Sequence, residues 1–516
     1  MQFSVIPVIN TIFSIFSGNQ VDLTCPKSLI KSETPTGSFP NGGFAQFPAN
    51  YDCGIEFEIP PGYVVKFKIQ TSIDEPGDKV VVRDSISSLH ELTTASSIFY
   101  VPAEQAKIWI KTESSSSSFH FTWEYMDVTR FEEVKNPIGE VMSLNLTSNH
   151  YYRFDSEYMH GTPPPYGYNS GSNHFNAIQL HTGSLTGEID SSLSKIFVYD
   201  GENLKSNFVG TLDQFASGTK SSKSTGKSLT LVNYYRLPSD SYVLANFYSR
   251  ISRFSSYDLV ILSQKHSFRS KTSSLSSTSA TTFYCIDSDE TYLTDLKFKD
   301  QSNQQSVSIS PSSPSHGNYD LLNYNQWQYQ NRYGNSRYKF DNQSLPQQIL
   351  TNTFTMTVSQ SEMIFELKSG PQESYSEVVP GRKGSIYSPS KWNPATSSPK
   401  TFYTNFTATE YVRFVIDPDQ MHFEKPEDKV LVEIGNGHYY ETPQFFEFKN
   451  RYNSRKEAVG TYMAITFIGT SEKSTFSLKY RVEESRTTRY LYESATMSSS
   501  VSFGFSVLPL LIAILF

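Results

Sequence analysis

Apolar side chains recur at every second position in short runs, and this period constrains the chain more than any other feature. Ile55, Phe57 and Ile59 alternate with Glu56 and Glu58, and Val65, Phe67 and Ile69 alternate with Val64, Lys66 and Lys68. Phe119, Phe121, Trp123 and Tyr125 alternate with His120, Thr122 and Glu124. Proline and glycine separate the runs. A period of two with such breaks marks half-buried antiparallel strands, one face inward and the other in water. No long amphipathic helix is written anywhere, so the expected class is all-β, built of sandwiches.

The same grammar returns near the other end. Val412, Phe414 and Ile416 alternate with Arg413 and Val415, and Phe476, Leu478 and Tyr480 alternate with Ser477 and Lys479. Glu75-Pro76-Gly77-Asp78-Lys79-Val80-Val81-Val82 lines up with Lys425-Pro426-Glu427-Asp428-Lys429-Val430-Leu431-Val432. In each, an acidic turn with proline leads into a Val-rich strand, and a loop and an alternating final strand follow. The pattern reads as a duplicated module.

The chain has 516 residues, of which 14% are aromatic and 18% charged, which suits strands. A net charge of -7 argues against nucleic acid, which needs basic faces. The expected domains are 21–127, 138–265, 283–369 and 378–483, with a Ser/Thr-rich linker at 266–282. Residues 160–175 read as an irregular Pro/Gly/Tyr-rich loop.

The two ends bear on location. Residues 1–18 are apolar from Phe3 to Phe16 and end in Ser17-Gly18, as in a secretory signal, although no Lys or Arg precedes the apolar run. Residues 501–516 form an apolar tail that is short for a bilayer span of ~20 residues. Upstream, within the stalk at 484–500, lie the small residues Ser494-Ala495-Thr496 and a serine spacer. This combination is a glycosylphosphatidylinositol (GPI) signal with Ser494 as first choice and Ser498 to Ser500 as rivals; a single membrane span is the alternative. The expected address is the extracellular face of the plasma membrane, with secretion as the alternative. Asn145-Leu-Thr, Asn342-Gln-Ser and Asn405-Phe-Thr are N-glycosylation sequons.

Cys25, then Phe47-Pro48-Ala49-Asn50-Tyr51-Asp52-Cys53, then Ile59-Pro60-Pro61-Gly62-Tyr63-Val64-Val65 resembles the opening of a CUB domain. Gly384-Ser385-Ile386-Tyr387-Ser388-Pro389 looks like a second such opening. The chain is similar to the CUB-like domain proteins of nematodes, which are secreted or membrane-tethered. The resemblance implies tandem jelly-roll modules, a Cys25–Cys53 disulfide and a role in innate defence at an epithelial surface. The second CUB disulfide is absent and the last module holds no cysteine. Cys285 is then left over, either as a buried free thiol or paired with another chain.

Some CUB domains bind calcium through three acidic side chains, and calcium takes six to eight oxygens. The resemblance makes Glu75, Asp78 and Glu113 the candidates in the first module. In the last they are Glu424 and Asp428, with Thr470 and Ser471 near the third position. The alternative reading is turn residues and solvated charges.

Enzyme motifs fail on inspection. His90-Glu91-Leu92-Thr93-Thr94 lacks the second histidine of a zinc-protease helix, and Ser224-Thr225-Gly226-Lys227-Ser228 lacks the first glycine of a phosphate loop. No nucleophile elbow is present. The expectation is a non-catalytic surface protein that binds a protein, glycan or microbial-surface ligand. A structural coat or adhesion protein is the runner-up, and a secreted hydrolase is the third reading. Pro165-Tyr166-Gly167-Tyr168 and Tyr324-Asn325-Gln326-Trp327-Gln328-Tyr329 are stretches that could stack on sugars or staple a core.

Overall fold

The computed structural model describes residues 21–156, 177–264, 268–298, 306–325 and 342–485, except 93–94, 148, 189, 217–221, 317–318, 394–400, 437–441, 451–452, 470 and 472. The signal segment, Ser494, the apolar tail, Pro165–Tyr168 and Trp327 lie outside the described residues. The chain divides into two compact units. One holds 1–136, 145–155 and 191–239, and the other holds 137–144, 156–190 and 240–516.

The first module comprises β1 (Thr36–Phe39), β2 (Ala45–Gln46), β3 (Asp52–Glu58), β4 (Tyr63–Ser72), β5 (Lys79–Arg83), β6 (Leu89–Glu91), β7 (Ser96–Pro102), β8 (Gln105–Lys111) and β9 (Ser118–Asp127). One sheet runs β1-β9-β4-β7, with β2 also on β9, and the other runs β3-β8-β5-β6. Every pairing within these two sheets is antiparallel. The alternating residues behave as their period requires. Ile55, Phe57, Phe67, Ile69, Phe119 and Phe121 are all buried and form one core between the sheets. Phe57 and Phe67 meet edge to face at 4.8 Å and 73°, the geometry that aromatic quadrupoles favour. Val64, expected on the wet face, is buried instead, in a second cluster with Phe197, Tyr199 and Val232 of the same unit.

The middle of the chain contributes β10 (Glu132–Asn136), β11 (Val141–Ser143), β12 (His150–Asp155), β13 (Ile178–Ser184), β14 (Phe197–Asp200), β15 (Asn207–Thr211), β16 (Ser228–Val232) and β17 (Ser241–Phe247). They form two sheets, β10-β12-β16-β14-β15 and β11-β17-β13, which fall in different units.

Next come β18 (Ser256–Leu262), β19 (Phe268–Cys285), β20 (Thr291–Phe298), β21 (Ser306–Pro311), β22 (Leu322–Asn325), β23 (Gln347–Ile349) and β24 (Thr353–Ser369). Residues 266–282, expected as a linker, lie almost wholly in β19, an 18-residue strand paired antiparallel with β24. The expectation failed because serine and threonine carry no apolar period. Here their hydroxyls pair across strands, Thr282 with Thr355 at 2.8 Å and Thr278 with Ser359 at 3.0 Å. That satisfies them without water, and β-branched threonine suits the extended backbone.

The last module holds β25 (Lys383–Tyr387), β26 (Thr401–His422), β27 (Lys429–Gly435), β28 (Gln444–Phe448), β29 (Lys456–Ile468) and β30 (Thr475–Glu484), in the order β25-β30-β26-β29-β27-β28. Its pairings repeat those of the first module. Thr401–Thr407 of β26 pairs with Tyr462–Ile468 of β29, as β3 pairs with β8. Val412–Ile416 pairs with Lys456–Gly460, as β4 pairs with β7. β27 joins β28 and β29 as β5 joins β6 and β8, and β25 joins β30 as β1 joins β9. The difference lies at the corner. Pro60-Pro61-Gly62 ends β3, because proline offers no N–H to a ladder. Ala408-Thr409-Glu410-Tyr411 has no proline, and β26 runs through with a register shift.

Candidate functional site

The described residues contain no catalytic constellation matching the sequence motifs. His90 and Glu91 sit on β6, not on a helix, and His90 Nε2 lies 3.1 Å from Asp84 Oδ2. Ser228 opens β16, so the phosphate-loop look-alike has no helix behind it.

Cys25 and Cys53 are bonded, with Cα atoms 5.6 Å apart and a sequence separation of 28. Cys53 lies on β3 and is buried. The bridge pins the segment before β1, and two tyrosines pin it again. The Tyr51 hydroxyl donates to the Leu23 carbonyl at 2.7 Å, and burial pushes that phenol up to about 12. The Tyr125 hydroxyl lies 2.9 Å from both the Ile30 and Glu58 carbonyl oxygens. Cys285 ends β19 as a buried free thiol, 3.4 Å from Asp287 Oδ1, and burial raises its pKa.

Glu75, Asp78 and Glu113 do come together, but not as a carboxylate trio. Asp78 is buried where the turn enters β5, and its N–H closes that turn on the Glu75 carbonyl at 3.0 Å. Asp78 Oδ1 accepts the N–H groups of Glu113 at 2.6 Å and Ser114 at 3.0 Å. Its Oδ2 accepts the hydroxyls of Ser114 at 2.6 Å and Ser117 at 2.5 Å. Burial alone would raise this carboxyl. The Ser114 and Ser117 hydroxyls and the two backbone N–H groups outweigh it and hold the pKa at about 2. Glu75 and Glu113 are exposed, and Glu113 meets Asp78 through its backbone rather than its carboxylate. The Glu113 carboxylate instead lies over Gly77, where a β-carbon would stand 2.2 Å from Oε2.

The last module repeats the arrangement. Asp428 is buried, its N–H closes on the Lys425 carbonyl at 3.1 Å, and its Oδ2 accepts the Ser474 hydroxyl. Ser474 Oγ also receives the Glu424 N–H at 3.0 Å, as Ser117 Oγ receives that of Asp74 at 3.1 Å. Glu424 accepts the Ser471 hydroxyl and lies 3.7 Å from Lys473 Nζ. Thr470 lies outside the described residues. A carboxylate offers about four lone-pair sites, and protein donors fill all four on Asp78. Among the described residues no group of three His, Cys, Asp or Glu side chains could hold a metal ion. The residues at the tip therefore do not fit calcium.

Two sequons share a burial pattern. Asn145 and Thr147 are exposed around buried Leu146, and Asn405 and Thr407 are exposed around buried Phe406. Alternation along an extended chain puts the acceptor and the hydroxyl on the wet face together. The side chain of Asn342 lies outside the described residues, within a short 3-10 turn.

Sequence reasoning missed a cleft of about 490 Å³ beside β21 and β24. Ser306, Ser308, Ser310, Thr355, Thr357 and Ser359 line it, because their alternating neighbours Val307, Ile309, Phe354, Met356 and Val358 face the core. Arg253 and Phe254 add a guanidinium 4.8 Å from an aromatic ring centre. The signal that could have found it is the period of two in Ser306-Val-Ser-Ile-Ser310, apolar in and hydroxyl out.

Residues 20–129 match the CUB-like domain family. No curated protein matches the chain. Among solved structures, the CUB1-EGF-CUB2 domains of rat MASP-1 align at 11% identity over 43% of this chain and 99% of that one, with a TM-score of 0.15. The CUB1-EGF-CUB2 domain of human MASP-1/3 aligns at 10% identity over 42% and 98%, with a TM-score of 0.16. The full extracellular region of zebrafish Gpr126/Adgrg6 aligns at 7% identity over 92% and 55%, with a TM-score of 0.17. At such scores these likenesses carry no argument about what this chain does.

Proposed function

We propose that the chain is an extracellular binding protein that acts by recognition rather than catalysis, displayed at an epithelial cell surface in innate defence. One observation carries the extracellular binding role: the CUB-like first module with its Cys25–Cys53 bridge closed. CUB-like domains are extracellular binding modules, and a disulfide persists where the compartment is oxidising. The apolar tail after Val501 and the small residues around Ser494 support a GPI anchor. The defence role rests on the family resemblance.

The cleft beside β21 and β24 is the surface best suited to a glycan. Hydroxyl side chains both donate and accept, which matches a polyol, and the Arg253 guanidinium against the Phe254 ring adds a charged donor and apolar surface beside them. The test is binding of residues 21–493 to bacterial surfaces and a glycan panel. Saturable binding weakened by Phe254→Ala supports the reading. Self-association of the ectodomain without any saturable ligand would favour a structural coat instead. Turnover of a substrate would overturn the non-catalytic reading. Phosphatidylinositol-specific phospholipase should release the protein from intact cells, and persistent attachment would remove the GPI anchor.

A further inference from the structure

We infer that in both end modules a serine hydroxyl takes the place of a cation, so that the two acidic tips are ordered without calcium. The inference goes beyond the binding role and does not depend on which ligand the chain takes.

Three observations carry it. The first is saturation. Asp78 is the buried carboxylate of its tip, and four protein donors already occupy its two oxygens. A cation there would have to displace a hydrogen bond with each oxygen it claimed, whereas calcium needs six to eight free oxygen ligands.

The second is repetition. Ser117 precedes β9 and Ser474 precedes β30. Each bridges the same two points: its hydroxyl donates to the turn aspartate and accepts the N–H four residues before that aspartate. A cation would tie the turn before β5 to the loop before β9 through charge. The serine ties them through one donated and one accepted hydrogen bond. Both serines are fully buried, at 0% and 1% exposure, so the bonds are made away from competing water.

The third is charge. In the last module the position of Glu75 is held by Lys425, and Glu424 is engaged by Ser471 and Lys473. An ammonium side chain in place of an acidic one repels a divalent cation.

The full chain, purified from secreting cells, is melted with excess calcium and then with chelator. The same melting temperature is expected in both. Ser117→Ala and Ser474→Ala should each lower it by several degrees in either condition. Ser117→Thr, which keeps the hydroxyl, should recover part of the loss. A calcium-dependent rise in the unmodified chain that Asp78→Asn or Asp428→Asn abolishes would overturn the inference. So would an unchanged melting temperature in both alanine variants.

Discussion

Gly37 lies directly opposite Trp123 across the β1–β9 pair, and the indole covers it so closely that a β-carbon would stand 2.0 Å from Cζ2. Gly384 stands opposite Tyr480 in the same position of the last module, where a β-carbon would meet Cε1 at 2.7 Å. In each edge strand an aromatic ring from the neighbouring strand fills the space a side chain would take. Gly37→Ala should therefore cost about 1–3 kcal/mol through overpacking. Gly384→Ala should cost less, because the nearest contact is longer. Denaturant unfolding of each variant checks both the sign and the order.

Removing the bridge should be costlier. Closing a loop of this length is worth about 3–4 kcal/mol by the chain-entropy argument, so the Cys25→Ser, Cys53→Ser double variant should lose stability on that scale. Mild reduction of the unmodified chain should produce the same loss, and Cys285→Ser should not.

Asp78 sets an acid limit. Its carboxyl is held at about 2 in the folded chain, below its ordinary value of 3.8. A depressed folded pKa gives stability that is fully present above the unfolded value and lost as pH falls through the folded one. The melting temperature should accordingly drop between about pH 4 and pH 2. Asp78→Asn should be less stable at neutral pH and show a shallower drop across that window. Scanning both proteins by calorimetry over the acid range decides it.

Glycan occupancy follows from exposure. In secreting cells Asn145→Gln and Asn405→Gln should each remove one endoglycosidase-sensitive step in gel mobility. Unchanged mobility in either variant would show that its sequon is skipped.

The fold class was legible because period-two alternation is a local signal. Ile55, Phe57 and Phe67 point inward for a reason that lies within seven consecutive residues at a time. The duplication was legible at the turn aspartates, since Glu75–Val82 and Lys425–Val432 share a proline, the Asp-Lys pair two residues later and the apolar run that follows. The disulfide came through resemblance to a family and through no spacing rule. Val64 was misplaced because its wet face is covered by a sheet whose strands begin many residues later. The strand at Phe268–Cys285 was misread because its hydroxyls are satisfied by Ser359 and Thr355, partners no local pattern announces.

The tips show the division most clearly. By itself the sequence determined that an aspartate follows a proline turn and enters a Val-rich strand, twice, because turn chemistry and strand alternation act between near neighbours. Only the tertiary structure decided what those aspartates bind. Ser117 stands 39 residues from Asp78 and Ser474 stands 46 from Asp428, and burial of both partners makes the hydroxyl–carboxylate bond. A carboxylate's role depends on which donors surround it, and that is settled when distant segments pack.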